Sequence, residues 1–220
     1  MYDPMLYVHW KQAKLAMIPF VVAAFGLPLL AIQGLGPEPQ GLNLDETLIW
    51  LPLFPALAGA IGVVLALTAW NWDHQQGHVY ALTLPMARWE YAMHKMGAGV
   101  VLGLVPVMAF WIGAHLASAS LTLPVGLNAY PNQLTLRFLF AVLLSYALLF
   151  AMAAGTVKTT IWSVTGVIAF FIAGSVLNDF LALFFPYFQE ADIVAVVGEW
   201  LFTARGPFGV FTGNWALIDV

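Results

Sequence analysis

Apolar residues in this chain come in long unbroken blocks, not in the alternation of strands or the one-sided stripe of a surface helix. A helix needs about 20 mostly apolar residues, at 1.5 Å each, to cross a hydrocarbon core roughly 30 Å thick. Five blocks meet that length, at about 15–34, 47–70, 96–119, 137–157 and 160–186. The run from Met96 to Leu136 has no Lys, Arg, Asp or Glu and is too long for one span. Turn formers from Leu123 to Asn132, with Pro124, Gly126 and Pro131, break it and place an external loop there. The pattern predicts an all-α polytopic membrane protein with one transmembrane domain over 1–220.

Polar residues between the blocks predict three further elements. Residues 1–14 mix Tyr2, Leu6, Tyr7 and Trp10 with His9, Lys11 and Lys14, which suits an interfacial elbow helix. Residues 71–95 form a polar island between spans two and three. Inter-helix connections commonly run two to eight residues, so an island of this length predicts a helix of its own and a docking surface. Within 187–220, Ile193–Ala204 and Pro207–Ile218 are each too short to cross, and Arg205-Gly206-Pro207 separates them. This stretch reads as an external interfacial or re-entrant segment.

Composition supports lipid as the main solvent. The chain is 62% hydrophobic and 8% charged, against about 25% charged in soluble domains. Seven Lys and Arg in all leave no basic patch for nucleic acid. The absence of cysteine removes disulfides, thiolate metal sites and Cys nucleophiles. No GxxxxGK[ST], HExxH or GxSxG occurs, so no ATPase, zincin or hydrolase motif is present.

Short-loop Lys and Arg set orientation. An N-terminus on the cytoplasmic side puts Lys11, Lys14, Arg88, Lys95 and Lys158 inside, and Arg137 and Arg205 outside. Tryptophans agree. Trp10, Trp70, Trp72, Trp89 and Trp162 fall near the inner boundaries, and Trp50, Trp200 and Trp215 near the outer ones. Arg88 and Lys95 are placed to snorkel to phosphates.

The island carries the sharpest motif: Asp73-x-x-x-Gly77, then Leu82-Thr83-Leu84-Pro85-Met86-Ala87-Arg88. It resembles the signature of ABC-2 type transporter permeases, the membrane-spanning subunits of ABC exporters, and lies like theirs between the second and third spans. Gln75 stands where that family usually has a second acid, and His78 where Thr is frequent. The resemblance implies a cytoplasmic coupling helix seated on a separate ATP-binding subunit. Asp73, Gly77 and His78 would open it, Tyr80, Leu82 and Leu84 would face the ATPase or the inner ends of the spans, and Pro85 and Arg88 would start span three. ATP and Mg would sit on the partner, with no cofactor or metal in this chain. Partners would be that ATPase, a second permease copy or homologue, and membrane lipid, in a bacterial cytoplasmic (inner) membrane. The family's six spans would put a further one beyond residue 220. A non-catalytic structural subunit of a larger membrane complex is the alternative, since it too needs apolar spans.

Two other sets stand out. Gly99 and Gly103 in span three, and Ala58 and Gly62 in span two, have the four-residue spacing of smooth helix-packing faces. His115, Arg137 and Asp179 fall near the outer ends of their spans, where an Arg137–Asp179 pair joined by His115 would form an outer gate.

Overall fold

The computed structural model describes residues 4–33, 51–77, 87–121, 123, 126–184, 193–203 and 205–219. Among the described residues, seven helices and two short strands follow in order: α1 (Pro4–Gln33), α2 (Leu53–Gln75), α3 (Arg88–Ala119), β1 (Asn128–Ala129), α4 (Pro131–Ala153), α5 (Val157–Ala182), α6 (Ile193–Phe202), α7 (Gly209–Thr212) and β2 (Ile218–Asp219). Five helices, α1 to α5, are long and apolar enough to cross a membrane. The chain is a multi-pass, mostly helical membrane protein. It divides into two compact units, Met1–Ala151 with Asn214–Val220, and Met152–Gly213.

The first unit contains α1 to α3, nearly all of α4, and the β1–β2 pair. Small residues let its helices approach. A side chain on Gly62 of α2 would collide with Ser145 and with the Tyr146 backbone nitrogen of α4, 2.6 Å away. Gly99 of α3 lies under the Tyr146 ring, and Gly103 faces Leu65 and Val142 at 3.2 and 3.7 Å. Ala58 is fully buried. Without a hydrophobic drive between helices in lipid, such close backbone contact is what holds them. The GxxxG-type pairs noted in the sequence therefore face neighbouring helices of the same chain. A further glycine, Gly113, lies against the Phe25 backbone, where α1 and α3 approach closely.

Aromatic groups fill both ends of this bundle. At one end Phe110 stacks on Phe138 at 4.1 Å and meets Phe54 edge-on at 5.6 Å. At the other, Phe150 lies 5.0 Å from Trp70 and 5.5 Å from Tyr146.

The second unit carries α5, α6 and α7. Thr156 caps α5, its side chain accepting from the Thr159 backbone N–H at 3.3 Å, so Lys158 lies in the first turn of the helix. The break at Arg205-Gly206-Pro207 is a turn closed by the Phe208 N–H on the Leu201 carbonyl at 2.9 Å.

Three expectations change. The elbow over 1–14 is not a separate helix. α1 runs from Pro4 without a break, because Gln12, Ala13, Lys14, Leu15, Ala16 and Met17 include no breaker and favour helix. At 30 residues it is about 45 Å long, beyond what a span needs. Trp70 and Trp215, expected in the aromatic belts, are instead buried at 4% and 3% exposure. The end of the 187–220 segment was expected as loop or re-entrant chain. Its residues 218–219 pair antiparallel with 128–129, Asn128 opposite Asp219 and Ala129 opposite Ile218.

Candidate functional site: a buried charge cluster beside the polar island

Helical spacing assembles the cluster. On α2, Trp70 and Asp73 stand three residues apart on one face. On α3, Tyr91 and Lys95 stand four apart on one face. The two faces meet. Asp73 is fully buried, and its two carboxylate oxygens accept from the Tyr91 hydroxyl at 3.0 Å each. The Lys95 ammonium forms an ion pair with the same carboxylate and donates to the Tyr91 oxygen at 3.2 Å. It also lies over the Trp70 ring, 4.6 Å from its centroid, and 5.0 Å from that of Tyr91. Trp70 donates its indole N–H to the Phe150 carbonyl at 3.1 Å. Tyr146 closes the set from α4, donating toward the Lys95 and Met96 carbonyls at 3.4 and 3.3 Å.

Each charge thus has an opposite charge and the Tyr91 hydroxyl, and Lys95 has two π faces as well. A buried pair with its remaining valences filled in this way holds its two helices in one register, while removal of one partner leaves a costly lone charge. Lys95 was expected to snorkel to phosphates; burial and the pairing with Asp73 point it inward instead. His9 of α1 lies beside the same region, 3% exposed and alongside the Leu65 backbone. Its ring nitrogens are the buried side-chain nitrogen or oxygen atoms without a hydrogen-bond partner among the described residues.

Gly77 ends α2 in the left-handed region, φ +58°, with its N–H directed to the His74 carbonyl at 3.4 Å. Glycine reaches this conformation without a Cβ penalty, which is why it so often closes a helix. Four residues before it, Asp73 points inward. Arg88 is the first residue of α3 and is exposed. His78, Tyr80, Leu82, Leu84 and Pro85 lie outside the described residues.

Of the outer-gate candidates, His115 and Arg137 have different partners. Asn132 accepts at its side-chain oxygen from His115 Nε2 and Trp111 Nε1, both at 3.0 Å. Arg137 donates to the Asn214 carbonyl at 2.7 Å and lies 6.0 Å from the Trp215 ring centroid. Asp179 is an exposed residue of α5, in the second unit. Among the described residues, no three His, Asp or Glu side chains are grouped to hold a metal ion.

As members of a site, Tyr91, Trp70, Tyr146 and Asn132 are not marked by the sequence reading, which gives Trp70 only a belt role and Asn132 only a turn. The signal for the first two was present: Trp70-x-x-Asp73 and Tyr91-x-x-x-Lys95 put an acid and a base on single faces of consecutive helices. Comparison of the chain with protein-family models, with curated proteins and with solved structures finds no match.

Proposed function

We propose that this chain is the permease subunit of an ABC-2 type exporter, moving an unidentified cargo across a bacterial cytoplasmic membrane with ATP hydrolysed on a separate subunit. The observation that carries the reading is how segment 78–86 is framed. Gly77 follows the end of α2, α3 begins at Arg88, and the Asp73–Lys95–Tyr91 cluster ties together the two helices that the segment joins in sequence. A push delivered there reaches both helices at once. This supports a coupling role in which Asp73 holds α2 to α3 rather than touching the ATPase, while Tyr80, Leu82 and Leu84 supply the contact surface. Orientation with the N-terminus inside rests on Lys11, Lys14, Arg88 and Lys158 against Arg137 and Arg205, since the charge of Lys95 is neutralised by Asp73.

Capture of a P-loop ATPase with the tagged full-length chain from solubilised native membranes tests this. Capture is expected, and Leu82→Glu is expected to abolish it while the chain still accumulates in the membrane. An intact assembly without a nucleotide-hydrolysing partner, or labelling of a cysteine at position 82 from the outer side, would refute the reading. The first of those outcomes would favour a structural subunit.

A further inference from the structure

A groove of about 230 Å³ runs along the outside of the first unit between α1 and α3. Its floor is Ala13, Met17 and Leu102, all nearly or fully buried, and its rims include Trp10 and Val105, both more than 40% exposed. The groove exists because Ala13 is too small to fill the space between the neighbouring ridges of α1. Its one charged lining residue is Lys14, which is exposed. We propose that this groove binds one anionic phospholipid, an acyl chain lying on the Ala13–Met17 floor and the headgroup phosphate on Lys14.

Three observations select this occupant. The lining is otherwise apolar, so a polar solute gains nothing there. The charge stands near one end only, as an amphiphile requires, with Trp10 beside it as an interfacial ring. From Lys14 to Val22 the groove follows eight residues of helix, about 12 Å, within the roughly 15 Å of one leaflet's hydrocarbon. A lipid acyl chain therefore spans it with its head at the lysine. The inference needs only membrane insertion and does not depend on the exporter reading.

Native mass spectrometry of the delipidated full-length chain, titrated with dioleoyl phosphatidylglycerol or dioleoyl phosphatidylcholine, tests it. Retention of the anionic lipid is expected to exceed that of the zwitterionic one by about fivefold, the contribution of one lysine at an anionic surface. Lys14→Gln is expected to remove this preference, and Lys11→Gln to leave it. The chain has no cysteine, so a fluorophore on Val22→Cys reports the deep end independently. Lipid with brominated acyl chains should quench it, saturating at one lipid per chain, and Ala13→Leu should reduce the quenching. An unchanged preference in Lys14→Gln, unsaturable or absent quenching, or a Val22→Cys disulfide between two copies would overturn the proposal. The last result would assign the groove to a second chain.

Discussion

The Lys95 ammonium is held against the Asp73 carboxylate, joining the last turn of α2 to the second turn of α3. Both groups are buried, and the Tyr91 hydroxyl bridges them. Loss of either charge strands the other. Asp73→Asn and Lys95→Met are each expected to destabilise the fold by about 3–5 kcal/mol, and the double variant by clearly less than the sum. Thermal unfolding in nanodiscs measures this, and additive losses would mean that the two side chains are not coupled. The pair lies out of reach of dissolved ions, so the wild-type Tm should stay level as salt rises.

Tyr91 acts through one oxygen. Tyr91→Phe keeps the ring beside Lys95 and removes the hydroxyl from both carboxylate oxygens. A hydrogen bond to a charged group contributes about 1.5–3 kcal/mol, and a loss in that range is expected. In a cycle with Asp73→Asn the effect of Tyr91→Phe should largely vanish; an undiminished effect would place the contribution in the ring.

Gly97 and Gly99 form an internal control two residues apart. A methyl at Gly99 meets the Tyr146 ring and hydroxyl, whereas at Gly97 nothing lies within 4 Å. Gly99→Ala should cost about 1–3 kcal/mol through overpacking. Gly97→Ala should be neutral or slightly stabilising, since alanine favours helix by up to about 1 kcal/mol. Unfolding midpoints of the two variants decide it, and equal effects would show that α3 does not press on α4 at this level.

Arg137 fastens the stretch that follows α7. Its guanidinium holds the Asn214 carbonyl at 2.7 Å, and the Tyr130 N–H reaches the Leu217 carbonyl at 2.8 Å. Arg137→Gln is expected to weaken this fastening by about 1 kcal/mol, raising local opening about fivefold. Proteolysis within 214–219 should accelerate accordingly. An unchanged rate would assign the fastening to the β1–β2 pairing alone.

Span count and element type were legible because they depend on composition summed over some 20 residues, where single errors average out. Helix ends were less so. Block 96–119 was drawn to exclude Lys95, yet α3 begins at Arg88, because a charged residue can enter a span when a neighbouring helix supplies its partner. For the same reason Trp70 was read as a belt residue: nothing local to it announces Phe150, eighty positions away. The inward faces through Gly62, Gly99 and Gly103 were visible from spacing, but not the identity of what they meet. The fastening of Arg137 to Asn214, and the strand pair beside it, depend on chain ends meeting across more than seventy residues, which no local pattern encodes.

The buried lysine also constrains how the protein is made. Entering the bilayer alone, α3 would carry an unmatched ammonium in its second turn. Its neutralising acid lies on α2, the span before it in sequence. α2 and α3 are thus suited to leave the insertion machinery as a hairpin, with partitioning of the second helix dependent on the first being retained beside it. Insertion of α3 is then expected to depend on one carboxylate of α2.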